Sequence, residues 1–180
     1  MKDLRAIDFL NLLNKGEHEI FNFLFPFFGP KLAKPFLNDQ MELYLLDYGL
    51  DVFYTDGNIG DSVAEAFMFH MEGSEDHKAF PGSLPNNIMF GMNDIEVSAI
   101  LGPPSRESIP FSWVETGLDV HPLTLSYVLV YDYGQHFWTY NFAENKQLVK
   151  INIGSSGVLE PDGEWVPIAA RIEENNIVRV

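Results

Sequence analysis

The residues with the most chemical potential fall within eight positions: His70, Glu72, Glu75, Asp76 and His77. Imidazoles and carboxylates are the ligands of zinc-type sites. A compact helical site, however, needs two histidines four residues apart, and His70 and His77 lack that spacing. With Gly73 and three acids between them, the stretch reads as a solvated acidic loop, and neither a metal nor another cofactor is expected. His121 precedes Pro122 and His136 precedes Phe137 in a strand-like run, so both read as structural or surface histidines. Nucleophilic catalysis needs an activated hydroxyl beside a base, or a Gly-x-Ser-x-Gly elbow between strand and helix. Gly154-Ser155-Ser156-Gly157 leads into Val158-Leu159-Glu160-Pro161 and reads as a linker. No Walker or dinucleotide-type glycine loop is present. No catalytic residue is assigned, although a carboxylate pair assembled only by folding would escape such a search.

Composition narrows the classes further. The 180 residues are 46% hydrophobic and include 15 phenylalanines, enough for a core without staples. Cysteine is absent, so disulfides and thiolate metal sites are excluded. Met1 to Asp8 carries acids where a secretory leader has an apolar run, and Ile20 to Phe28, interrupted by Pro26, is too short to span a bilayer. A cytoplasmic protein without a membrane partner is the expectation. The formal net charge is −15, and from Pro35 to His77 ten acids face no lysine or arginine. Such a surface repels phosphate, which argues against nucleic acid and permits a basic protein partner.

The elements that must position these residues follow from periodicity. Residues 4–14 and 17–28 carry apolar residues at helical spacing, with Gly16 between them, and Pro26 is expected to kink the second helix or end it early. From Met41 the period becomes two. An alternating run enters Asp47-Tyr48-Gly49, Leu50, Val52 and Tyr54 leave it, Asp56-Gly57-Asn58 turns, and 62–71 forms a third strand of an antiparallel meander. Residues 72–92 read as a long loop. Asn93 and Glu96 make a capping box for a helix bearing Ile95, Val97, Ile100 and Leu101, which Gly102-Pro103-Pro104 ends. Strands follow at 111–116, 124–132, 135–142 and 147–153, and the tail holds a further hairpin or a short helix.

The chain looks duplicated. Asp47-Tyr48-Gly49 returns as Asp132-Tyr133-Gly134, an offset of 134 − 49, or 85 residues, and that offset also carries Val63 onto Leu148. The fold expected is therefore α+β: two related units, each of one or two helices packed on an antiparallel meander. The first occupies 1–72 and the second 93–154, with a loop at 73–92 between them and an extension at 155–180.

Leu101-Gly102-Pro103-Pro104, Tyr127 to Tyr133-Gly134 and Leu148-Val149-Lys150-Ile151, echoed by Phe28-Gly29-Pro30 and Asp47-Tyr48-Gly49, resemble the tandem α/β modules of β-lactamase-inhibitor-like and small outer-membrane-lipoprotein-like proteins. Without a signal sequence or cysteine, and strongly acidic, the chain is similar to the cytoplasmic immunity proteins of bacterial polymorphic toxin systems. The connection after the helix differs between the copies, 20 residues from Gly29 to Gly49 against 32 from Gly102 to Gly134, so no binding residue transfers by motif. The resemblance implies stoichiometric occlusion of a toxin domain, not catalysis. The expected interface comprises Asp47, Tyr48, Glu72, Glu75, Asp76, Asp132, Tyr133 and Trp138. The alternatives are a small hydrolase or metal-dependent enzyme with a pocket between the lobes, and a non-catalytic adaptor module.

Overall fold

The computed structural model describes residues 3–29, 32, 36–37, 42–55, 62–108, 125–155, 157–159 and 165–167. It is an α+β fold. Among these residues two α-helices, α1 (Glu17–Phe28) and α2 (Asp94–Leu101), accompany an eight-stranded antiparallel sheet. Its strands are β1 (Phe36–Leu37), β2 (Glu42–Leu45), β3 (Leu50–Tyr54), β4 (Ala64–His70), β5 (Arg106–Ser108), β6 (Leu125–Asp132), β7 (His136–Ala143) and β8 (Leu148–Ser155). The order across the sheet is β1-β2-β3-β4-β8-β7-β6-β5, so each half of the chain supplies a helix and then four strands. β4 and β8 pair antiparallel at the centre, with Met68 opposite Asn152. A separate hairpin joins β9 (Gly157–Leu159) to β10 (Trp165–Pro167), the hairpin alternative for the tail.

One face of the sheet packs on the helices. Leu50, Val52, Phe67, Phe69, Trp138, Tyr140, Ile151 and Ile153 meet Phe9, Ile20, Leu24, Phe28 and Val97 in one buried cluster. Phe9 is central, its ring edge-on to Phe23, Phe67, Phe69 and Phe80. The segment bearing it is a 3-10 helix, Ala6–Leu12. A period of three puts Ala6, Phe9 and Leu12, all buried, on one side, so the apolar spacing that suggests an α-helix is met by the tighter coil.

α1 runs through Pro26 to Phe28. Proline deprives the Asn22 carbonyl of its helical donor, but Asn22 and Pro26 are both exposed, so water replaces the lost bond and the helix need not end early. α2 carries the expected box: the Asn93 side chain accepts from the Glu96 N–H, and the Glu96 carboxylate accepts from the Asn93 N–H. Only Val97 of its apolar residues is fully buried, whereas Ile95 and Ile100 are exposed. The turn at 56–58 and the strand expected at 111–116 lie outside the described residues. β8 continues through Gly154 and Ser155, which pair with Phe137 and His136, so this part of the supposed linker is sheet. A Cβ on Gly154 would lie 2.3 Å from the Phe137 ring, which explains glycine in a strand interior. Among the described residues no helix is long and apolar enough to cross a membrane.

The two Asp-Tyr-Gly turns are local hairpin connections of different stringency. Both glycines adopt positive φ, 57° at Gly49 and 87° at Gly134. A Cβ at Gly49 would come within 2.3 Å of the Lys78 carbonyl oxygen and 2.4 Å of the Phe80 nitrogen, whereas one at Gly134 meets nothing within 4 Å. Gly134→Ala is expected to cost only the left-handed penalty of about 1–2 kcal/mol. Gly49→Ala adds backbone displacement, for a total of about 2–5 kcal/mol. Urea unfolding of the two variants side by side measures the difference, and equal losses would refute the close approach at Gly49.

Candidate functional site

The second face of the sheet carries a polar group that the helix-side core does not need. In β3 the apolar Leu50, Val52 and Tyr54 belong to the helix-side core, which turns Asp51 the other way. In β4, Phe67 and Phe69 point to the core while His70 joins Asp51 on the opposite face. Asp51 is opposite Met68, so His70, two residues on, is its diagonal neighbour. Lys150 of β8 is directly opposite His70.

Residues 71–78 then fold over this face as a strap. Gly73 takes φ 78° and a single 3-10 turn, Ser74–Asp76, follows with Glu75 and Asp76 both at positive φ. Left-handed backbone at two successive non-glycine residues costs on the order of 1–3 kcal/mol each and persists only where surroundings enforce it. The strap is fixed by backbone bonds from Lys78 N–H to the Leu46 carbonyl and from Phe80 N–H to the His70 carbonyl. These bonds explain the crowding at Gly49.

Inside the strap the His77 ring stacks on that of His70, with centroids 3.7 Å apart and planes 4° from parallel. Each Nε2 reaches one oxygen of the same carboxylate: His70 to Asp51 Oδ2 at 2.8 Å and His77 to Oδ1 at 2.7 Å. All three residues are buried, none more than 3% exposed. The contacts assign the protons. His77 Nδ1 faces the carbonyl oxygens of Ser74 and Glu75 at 3.1 and 2.9 Å, and its Nε2 faces a carboxylate, so both nitrogens must donate and the ring is an imidazolium. His70 donates through Nε2 alone, and its buried Nδ1 has no hydrogen-bond partner, the nearest carboxylate oxygen being Glu75 Oε2 at 3.9 Å. Across the rim, Lys150 Nζ donates to Glu75 Oε1 at 2.7 Å.

The electrostatics agree with this assignment. Burial would push the Asp51 carboxyl up, but the hydrogen bonds from His70 and His77, together with the positive charge of His77, bring it below the usual carboxylate value. Burial likewise works against a charged His77, yet the bond to Asp51 and the two backbone carbonyls raise it above an ordinary histidine. His70 is lowered: burial is the largest influence and prevails over the bond to Asp51 and that carboxylate's charge, with smaller contributions in the same direction from the charges of His77 and Lys150. The arrangement is thus a buried ion pair, Asp51 with His77, beside a neutral imidazole. Asp51, His70 and His77 also offer three ligand atoms within 4.8 Å of one another.

The solvated-loop reading therefore fails for the two histidines. The physical reason is the strap's reversal at Gly73, which returns His77 to the sheet and leaves only the acids outside. Asp51 carries no signal of its own in the sequence, because in a run of ten acids nothing distinguishes it except its place in an alternating strand. The usable signal was two of the chain's five histidines flanking a glycine-containing loop at the end of an apolar strand.

The expected interface residues divide into two groups. Asp47, Glu72, Glu75 and Asp76 are exposed around the strap: Asp47 pairs with Lys78 at 2.6 Å, and the Glu72 carboxylate accepts from the Ala79 N–H. Tyr48 is half-buried and stacked on Phe28 with centroids 4.0 Å apart, so it belongs to the edge of the core. Asp132 accepts the Gly134 N–H, Tyr133 is 55% exposed against His136, and Trp138 is buried. Gly49 lies by the Lys150 end of β8 and His136 pairs with Ser155 at its other end, a separation of roughly 17 Å at about 3.3 Å per residue. The eight residues do not form one continuous surface. Tyr133 and Trp138 of the second group instead border a cleft of about 490 Å³, in which they and His136 and Tyr140 meet Arg5, Ile7 and the segment Ser83 to Asn87.

No family model and no curated protein matches the chain. Among solved structures it is similar to a DUF4309 family protein, YjgB, from Bacillus subtilis, at 16% identity and a TM-score of 0.45, covering 79% of this chain and 80% of that one. That likeness is one of outline and assigns no activity.

The two stacked histidines should titrate on opposite sides of the usual value of about 6.5. The raised value of His77 gives stability that is fully present below about pH 6.5 and is lost as pH rises through its folded value. The lowered value of His70 acts inversely: below about pH 6.5 the unfolded chain takes up a proton that folded His70 refuses, so stability falls. Asp51 contributes above the ordinary carboxylate range and its contribution disappears as pH falls through its lowered value. Ring nitrogen NMR titration of the folded protein tests this, and two histidines titrating together at about 6.5 would contradict the assignment.

Proposed function

We propose that this chain acts by binding a protein partner stoichiometrically, as a cytoplasmic immunity protein that occludes a basic toxin domain. The single observation that supports the reading is the aromatic cleft: Tyr133 and Trp138, singled out as binding residues from sequence, border one concavity with His136, Tyr140 and Arg5. A cleft of about 490 Å³ accommodates a bulky side chain or a short segment of a partner. Tyrosine, tryptophan and arginine lining one concavity are the residue types enriched at interface anchors. The net charge of −15 supplies long-range attraction for a basic partner, and the strap acids Glu72, Glu75 and Asp76 lie outside the cleft, where they act on encounter and not on the seated complex. The mirrored order of two helix-plus-four-strand halves is the arrangement that a duplicated unit would produce, in keeping with the tandem modules the sequence resembles.

Copurification from the native cell, with the products of neighbouring genes coexpressed, is expected to yield a 1:1 complex with a toxin-like domain. Tyr133→Ala should weaken that complex at least about thirtyfold, equivalent to about 2 kcal/mol. Glu72→Lys with Asp76→Lys should chiefly slow association and flatten its salt dependence. Recovery of the chain alone would overturn the reading, and a complex insensitive to Tyr133→Ala would remove the cleft from it.

A further inference from the structure

We propose that Asp51, His70 and His77 form a binding site for a divalent transition-metal ion of the zinc class, closed by the strap. Two imidazoles and one carboxylate, each offering one ligand atom within 4.8 Å of the others, are a donor set that such ions accept, with solvent completing the coordination.

The supporting observation is the unpartnered Nδ1 of His70, fully buried and 3.9 Å from Glu75 Oε2. In the metal-free protein His70 must keep its proton on Nε2 to meet Asp51, which leaves the Nδ1 lone pair facing an acceptor. An ion on Nε2 reverses this. The ring proton then sits on Nδ1, directed at the Glu75 carboxylate, and the orphaned atom becomes a donor with a partner at hand. His77 needs no such change, because its Nδ1 already donates to the Ser74 and Glu75 carbonyls and leaves Nε2 as the ligand. A metal-bound histidine is ordinarily held by such a bond from its other nitrogen; the strap already supplies one to His77, and its Glu75 carboxylate, 3.9 Å from His70 Nδ1, is placed to approach and supply the other.

The stacked geometry also defines what must move. Rings 4° from parallel and 3.7 Å apart suit two N–H groups grasping the two oxygens of one carboxylate. A shared ion lies near the plane of each ligand ring, so the rings must converge. His70 is fixed in β4, and therefore His77 turns, on a strap whose left-handed Glu75 and Asp76 hold it away from a relaxed backbone. Uptake displaces the Nε2 proton of His77 to solvent and shifts the proton of His70 to Nδ1, so one proton leaves for each ion bound.

Titration of the intact, chelator-treated protein with Zn²⁺, followed by ring nitrogen NMR and by thermal unfolding, tests the site. One equivalent is expected to shift the Nε2 signals of both His70 and His77 and to raise the melting temperature. His77→Gln should abolish this binding, and Glu75→Gln, which keeps all three ligands, should weaken it about ten- to hundredfold. Unchanged His70 and His77 signals at several equivalents of Zn²⁺ would overturn the proposal. So would equal binding by a folded His77→Gln variant, since the ion would then be held by surface groups. Should that variant fail to fold, the ring signals of the unaltered protein decide.

Discussion

A single buried carboxylate organises this end of the molecule. Asp51 has both oxygens occupied by imidazole N–H groups, one from the sheet and one from the strap that covers it. A charge removed from water needs a counter-charge and filled hydrogen bonds, and His77 supplies the first while the two rings together supply the second. Without this clamp nothing in the strap's own sequence favours left-handed Glu75 and Asp76, nor the return of His77 into the protein. The clamp converts a polar acidic segment into a lid, and the lid turns its acids outward.

The remainder of the fold makes the clamp possible by keeping the two faces of the sheet distinct. The helix-side face is a phenylalanine-rich core centred on Phe9, and it fixes the pleat of β3 and β4 so that Asp51 and His70 must share the other side. A slip of one residue in either strand would send one of them into the aromatic core. The tight approach of Gly49 to Lys78 and Phe80 then sets the height of the strap above the sheet. At the opposite end of β8 the turn after β6 has no such crowding, and there the structure offers an aromatic cleft instead.

Much of the architecture was legible because it rests on local rules. Period-two alternation located β2 to β4 and β6 to β8, the Asn93 and Glu96 box located the start of α2, and the paired Asp-Tyr-Gly turns marked both hairpins. The 3-10 coil at Ala6–Leu12 was not legible, since a period of three and one of 3.6 differ little over seven residues. The Asp51, His70 and His77 group was invisible for a different reason. It depends on strand register and on a loop reversal, and the repeat offset of 85 carries Asp51 onto His136 and His70 onto Ser155, so the second half holds no copy of it. The interface residues chosen for their likeness in two turns were separated for the same reason, because the antiparallel β4 and β8 pair at the sheet centre places those turns at opposite ends.

The central claim, that Asp51 ties the strap to the sheet, is tested most directly by amide hydrogen exchange in the Asp51→Asn variant, which keeps shape but removes the charge. Protection at the His77, Lys78 and Phe80 amides, all bonded in the strap, should fall at least about tenfold, equivalent to about 1.4 kcal/mol, while the amides between β7 and β8 keep theirs. Strap protection equal to that of the unaltered protein would contradict the account, for it would mean that the backbone bonds to Leu46 and His70 hold the strap without the carboxylate.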